Sequence, residues 1–138
     1  MTITACYPFV TTDKLAESKA YYRALGYAVV VEGPVWTHLA VPGNPTLQLG
    51  LMDINHEQVG PPFNAPGRLF LGLLVNDADD AFARAKAAGR TGEPAPEDMP
   101  WGQRRFTAID PNGNPIDVSA LTGVETPFTH AIRTLMAA

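Results

Sequence analysis

Two periods of apolar residues alternate along the chain. From Ile3 to Val10 the residues are β-prone, and the stretch ends in Thr11, Thr12 and Asp13, types that cap helix N-termini. Over Lys14–Leu25 the period becomes helical: Leu15, Ser18, Tyr22 and Leu25 share one face, and Gly26 stands where a glycine ends a helix. Three short strands follow, Tyr27–Glu32, Trp36–Val41 and Thr46–Leu51, separated by Gly33-Pro34 and by Pro42-Gly43-Asn44-Pro45. The pattern up to this point reads β-α-β-β-β.

A loop rich in Gly, Pro and Asn, about Asp53–Gly67, precedes a second start. Leu69–Val75 reads as a strand, Asn76 or Asp77 as a cap, and Asp79–Ala88 as a helix closed by Gly89. The run Asp77–Asp80 places negative charge at the positive end of that helix. The proline-rich stretch Thr91–Pro100 predicts a poor or short strand. Arg104–Ile109 and Pro115–Ala120 then form a hairpin around Asp110-Pro111-Asn112-Gly113. The second half is again β-α-β-β-β, and Gly26 and Gly89 stand 63 residues apart. Each half has a curved sheet with a helix on one face only, so each needs a partner for the other face. A terminal helix, Thr126–Met136, carries Phe128, Ile132 and Leu135 at helical spacing and is expected to pack on the outside or at a dimer contact.

Composition narrows the function classes. With 138 residues, 46% hydrophobic and 17% charged, the chain is long enough to bury a core without a metal or disulfide staple. A net charge of −4 argues against general nucleic-acid binding. The lone Cys6 permits neither a disulfide framework nor a cysteine-built zinc site, and is expected to be a small core residue. The first ten residues lack the pattern of a signal peptide, and Leu69–Val75 is far too short to span a membrane. The expectation is a soluble, cytoplasmic protein with neither nucleic-acid nor membrane partners.

Two local motifs then narrow the family. Leu15-x-x-Ser18-x-x-Tyr21-Tyr22-x-x-Leu25-Gly26-Tyr27 resembles the first-helix pattern of the vicinal oxygen chelate superfamily, the glyoxalase/bleomycin-resistance/dioxygenase proteins. Pro100-Trp101-Gly102-Gln103-Arg104-Arg105-Phe106, followed by Asp110-Pro111-Asn112-Gly113-Asn114, resembles that family's closing hairpin. In order, at the right module length, the two carry the resemblance over residues 3 to about 121. It implies an α+β fold with two βαβββ modules (3–52 and 68–121, joined by the linker 53–67) forming a curved mixed sheet around a concave ligand cavity. It also implies a homodimer in which a second protomer completes the cavity, with Met52–Pro66 as a crossing or rim segment.

Members of the family with metal chemistry carry ligands on the first and last strand of each module. By resemblance those positions fall on Tyr7 (or Cys6, with a one-residue gap), Gln48, Phe70 and Asp117. Two aromatics, an amide and one carboxylate are a poor set for a divalent cation, so neither metal nor other cofactor is expected. Strand alternation puts Tyr7, Phe9, Trp36, His38, Gln48, Phe70, Leu74, Asp117 and Ser119 on the concave face. It puts Leu47, Leu49, Leu51, Leu71, Leu73 and Val75 under the helices. Aromatic walls from Tyr7, Phe9, Trp36 and Phe70 with a few polar points suit a small-ligand pocket, although such aromatics also serve as plain core. His38 is a satisfied strand histidine, a general base or a ligand contact. Asp117 pairs with an arginine, Arg104 being the candidate, or with a cationic ligand group. Trp101 is either a lid or a hinge-packing residue. The adjacent Arg104 and Arg105 are expected to flank a strand rather than bind phosphate.

Three functions stay open. In the first, the protein sequesters a planar aromatic compound without metal, as the antibiotic-resistance branch does, with Tyr7, Phe9, Trp36, His38, Gln48, Phe70, Trp101 and Asp117 as ligand contacts. In the second, it is a lyase, isomerase or dioxygenase acting on a small oxygenated substrate, with His38 and Asp117 as acid/base candidates. In the third, it is a structural or partner-binding module whose pocket is filled by its own side chains.

Overall fold

The computed structural model describes residues 1–89 and 95–137. Module one consists of β1 (Ile3–Thr12), α1 (Leu15–Ala24), β2 (Ala28–Glu32), β3 (Trp36–Val41) and β4 (Asn44–Asp53). Module two consists of β5 (Leu69–Val75), α2 (Ala78–Ala87), β6 (Glu97–Met99), β7 (Gln103–Ile109) and β8 (Pro115–Leu121), with α3 (Pro127–Ala137) after it. The expected short strand of the proline-rich stretch is β6; residues 91–94 of that stretch lie outside the described residues. All eight strands join in one sheet, in the order β2-β3-β4-β1-β5-β8-β7-β6, curled into a half-barrel. The modules meet where β1 pairs antiparallel with β5, Phe9 opposite Phe70. Within each module the first and last strands run parallel, and the other pairs are antiparallel. The repeat is therefore structural, and Gly26 and Gly89 end the two helices with positive φ of 117° and 73°.

Several local expectations need correction. Lys14, not one of the preceding residues, occupies the cap position of α1; the Thr12 hydroxyl accepts from its N–H at 2.9 Å. The cap of α2 is Asp77, one of the two residues expected there, whose carboxylate accepts from the Asp80 N–H. Asn44 and Pro45 belong to β4 rather than to a turn. On the convex face, α1 covers Leu39, Leu49 and Leu51, and α2 covers Val75, Phe106 and Val118. Because the helices take only the flanks, Leu47 (51% exposed) and Leu71 (48%) are not packed under them, and Leu25 is exposed as well. Cys6 is exposed too, not a core residue.

The concave face holds the third and most aromatic cluster: Tyr7, Phe9, Trp36, Phe63, Phe70 and Phe128, with aliphatic neighbours. At its centre the Phe9 ring stacks on Phe70 at 4.8 Å and meets Trp36 and Tyr7 edge-on at 5.0 and 5.4 Å. The strands on either side of β1 make room for it with glycines. A Cβ on Gly50 would lie 2.3 Å, and one on Gly72 2.5 Å, from Phe9 ring carbons.

The terminal helix α3 closes this face, contrary to the expectation that it packs outside. Phe128 and Ile132 are buried in the concave cluster, with Phe128 edge-on to Trp36 at 5.0 Å. Its N-terminal turn docks on the Trp101-Gly102 corner. There Thr126 Oγ1 donates to the Trp101 carbonyl and the buried Thr129 Oγ1 donates to the Val124 carbonyl. Gly102 has φ +96°, and a side chain there would collide with Thr129. The loop after β4 folds back over the same groove, burying Val59 and Phe63, so Met52–Pro66 is a rim segment of its own chain.

Gly72→Ala is expected to cost about 1–3 kcal/mol of stability in urea unfolding through the collision with Phe9. Gly60→Ala, where nothing lies within 4 Å, should change stability little. Equal stabilities for the two variants would contradict the central packing.

Candidate functional site

Two hydrogen-bonded ladders run across the concave face, one in each module. In module one the Trp36 indole N–H donates to His38 Nδ1 at 3.3 Å, and His38 Nε2 faces Gln48 Oε1 at 2.9 Å. With Nδ1 accepting, the imidazole carries its proton on Nε2 and donates it to the amide oxygen. Gln48 in turn donates to the Pro45 carbonyl. His38 is fully buried, and burial pushes its pKa down to about 4, against a smaller upward pull from Gln48. It is a neutral, satisfied strand histidine with both ring nitrogens engaged.

Module two repeats the device with other residues. The Trp101 indole N–H donates to Gln103 Oε1 at 2.7 Å, and Gln103 Nε2 donates to Ser119 Oγ at 3.2 Å. Beside this ladder lies a charged pair. Arg105 Nε donates to Asp117 Oδ1 at 2.7 Å, and Arg105 Nη2 to Thr107 Oγ1 at 2.8 Å. Asp117 thus pairs with Arg105, not Arg104. The two arginines are consecutive on β7 and face opposite ways, Arg104 reaching Asp79 and Asp98 on the exposed side. Burial first, then the nearby Asp117 carboxylate, raise the Tyr7 phenol above its ordinary pKa, so it stays neutral.

The groove is not one open pocket. Between the modules' tryptophans a cavity of about 90 Å³ remains, walled by Val35, Trp36, Met52, Val59 and Phe63 on one side and by Met99 and Trp101 on the other. Arg105 and Asp117 supply its polar surface, with Gln58 at the exposed rim. A separate cavity of about 220 Å³ lies where Gln48 and Thr4 meet the end of α3 at Met136.

The structure thus brings Trp36, Trp101 and Asp117 to one cavity and Gln48 to another, while Tyr7, Phe9, His38 and Phe70 line neither. Those four are interlocked in the interior, Tyr7 edge-on to His38 at 4.7 Å. They are core rather than pocket wall. Trp101, half-buried, both lines the cavity and carries the docking corner of α3, which is a packing role. Sequence reasoning missed Arg105, Gln103, Val59 and Phe63. The first two were within reach: Phe106 under α2 fixes their alternation, and Trp36-x-His38 and Trp101-x-Gln103 lie 65 residues apart at the starts of corresponding strands, Trp101 in the turn just before β7.

The positions that would hold a metal do not fit one. Phe70 offers no donor, Tyr7 a phenol raised away from ionisation, Gln48 an amide spent on His38 and Pro45, and Asp117 a carboxylate held by Arg105. Among the described residues no group of three or more His, Cys, Asp or Glu is placed to hold a metal ion.

Paired βαβββ modules curled around a concave groove define the fold class, and comparison with known proteins gives the family. The profile of the Glyoxalase/Bleomycin resistance protein/Dioxygenase superfamily matches residues 4–118, and the chain belongs to that superfamily. Among solved structures it is similar to a methylmalonyl-CoA epimerase from Mycobacterium tuberculosis, with 18% identity, 93% of each chain covered and a TM-score of 0.66. It is also similar to a protein described as an NAD-dependent benzaldehyde dehydrogenase from Legionella pneumophila, with 19% identity, 84% of this chain and 98% of that one covered, and a TM-score of 0.65. A superfamily member from Vibrio splendidus 12B01 follows, with 15% identity, coverage of 87% and 99%, and a TM-score of 0.57. At these identities the likeness is one of fold. No curated protein matches the chain with significance. No helix among the described residues is long and apolar enough to cross a membrane.

The buried imidazole gives a pH test. Its folded pKa of about 4 lies below the ordinary 6.5, so the unfolded chain takes up the proton first as pH falls. The stabilisation is complete above about pH 6.5 and is lost as pH falls to about 4, a change of roughly 3 kcal/mol. His38→Gln, which copies Gln103, keeps a donor and an acceptor without titrating. Between pH 7 and 4.5 the wild type should lose stability faster than this variant in urea unfolding. Parallel profiles would contradict a neutral buried His38.

Proposed function

We propose that the protein binds a small planar molecule in the cavity between Trp36 and Trp101, without a metal of the family type, and holds it rather than converting it. One observation carries the reading: both tryptophans of the chain line a single cavity whose only charged lining among the described residues is the Arg105–Asp117 pair. Apolar walls with few directional polar groups suit ligand binding. The unsuitable donor set at Tyr7, Gln48, Phe70 and Asp117 supports the metal-free part. The cavity of about 90 Å³ is smaller than the roughly 150 Å³ that encloses a benzene ring. The ligand therefore inserts an edge or a polar head, while its body stands at the mouth over Trp101 and Gln58. This site is narrower than one between Tyr7, Phe9, Trp36 and Phe70, whose rings are occupied with one another.

The enzymatic alternative draws support from the epimerase-like fold, and with His38 engaged it rests on Asp117 alone. Asp117→Ala is a poor test of it, because it leaves Arg105 unpaired over a buried site, a loss that typically costs about 3–5 kcal/mol. Asp117→Asn keeps an acceptor and is the variant to assay.

We also propose that the chain forms a homodimer through the convex strip around Leu47, Leu69 and Leu71, which the two helices leave uncovered. Light scattering should then give twice the 14.8 kDa chain mass; a monomer at micromolar concentration would contradict this pairing.

Phenol, as a minimal planar probe, is expected to change tryptophan emission saturably. Trp101→Phe should weaken the apparent affinity about 2- to 10-fold through lost stacking. Linear, non-saturating quenching that is the same in both proteins would contradict a binding site between the tryptophans.

A further inference from the structure

The geometry points to a carboxylate as the group that the two-tryptophan cavity recognises, with Arg105 as its specificity-determining residue; this rests on the ligand-binding reading of that cavity. A guanidinium carries five N–H donors. Arg105 spends two, Nε on Asp117 and one of Nη2 on Thr107, so its side edge is filled from within the protein. Its end edge, Nη1 with the second N–H of Nη2, has no hydrogen-bond partner among the described residues. Arg105 lines the cavity, and its side chain is only 23% exposed.

The fixed side edge makes the free end edge useful. Asp117, 3% exposed, and Thr107 hold the guanidinium plane in one orientation, so a ligand need not pay to order it. Donors left without an acceptor on a residue that lines a mostly apolar cavity favour one, and a carboxylate meets a guanidinium edge with two parallel, charge-assisted bonds. A neutral carbonyl offers one oxygen and no charge. A cationic group would meet the guanidinium charge of Arg105, and the Asp117 carboxylate that lines the same cavity is already paired with it. The size agrees: about 90 Å³ admits a carboxylate and the first atoms behind it, with Trp36 and Phe63 as apolar walls and Trp101 at the mouth as a flat surface for a planar body. General electrostatics would not bring an anion here, since the chain carries a net charge of −4. Any preference for an anion must come from Arg105 itself.

Benzoate and benzamide have nearly the same shape and differ in charge, so their titration against the intact protein, read by tryptophan emission at moderate salt, separates the outcomes. Benzoate should bind about tenfold or more tightly than benzamide. Arg105→Lys keeps a cation beside Asp117 but loses the planar fork, and should reduce that preference to about twofold. The inference is overturned if benzamide binds as well as benzoate, which would leave the ligand-binding reading standing. It is also overturned if Arg105→Lys keeps the full preference. If neither probe binds saturably, the ligand-binding reading fails and the carboxylate assignment fails with it. The benzoate–benzamide ratio is measured on the wild type, so the test stands even if the variant folds poorly.

Discussion

The concave face is organised by one aromatic ring that has no room to spare. Phe9 sits where β1, β4 and β5 run side by side, and its ring lies in the gap left by Gly50 and Gly72. Because β1 pairs with β5, the same ring stacks across the junction between modules onto Phe70 and reaches Trp36 on the far side of module one. Ring contacts of this kind contribute about 0.5–1.5 kcal/mol each beyond area burial. Their larger consequence is geometric. Once Phe9 is seated, Tyr7, Phe70 and Trp36 have fixed neighbours, and the middle of the groove is closed to solvent.

What remains open follows from a difference between the two modules. Each builds a ladder from a tryptophan through an amide or imidazole to its last strand. In module one α3 lays Phe128 against Trp36, and the ladder ends inside the protein. In module two the ladder runs beside Arg105 and Asp117, and the space above them is left between the two indoles. A buried ion pair is costly unless its remaining donors and acceptors are met. Asp117 and Thr107 meet one edge of Arg105, and the other edge is the chemically distinctive feature of the cavity. The space left open in this fold thus lies at the rim of an aromatic core rather than in its centre.

Much of this was legible in the amino-acid order. Helical stretches read from Lys14 and from Asp79 marked both helices to within a residue at the start, and β5 was bounded residue for residue by its apolar run. Strand alternation placed Tyr7, His38, Gln48 and Asp117 on the concave face, where they are. Alternation also held the answer for Asp117, since only Arg105 of the two adjacent arginines shares its face. Other features depend on distances that no pattern encodes. Nothing in the spacing of Phe128 and Ile132 says which surface their stripe meets, and the clearance at Gly102 that seats Thr129 exists only in three dimensions. The aromatics read as pocket walls became core for the same reason: a face says where a ring points, not what already fills the space before it.

The measurement that bears most directly on the central claim is elemental analysis of protein purified without chelator or nickel affinity, against protein concentration measured in parallel. If the aromatic core and the Arg105–Asp117 pair have taken over the positions at which this family can hold a cation, transition-metal content should lie far below one per chain. A content near one per chain, lost together with stability on chelation, would contradict that claim.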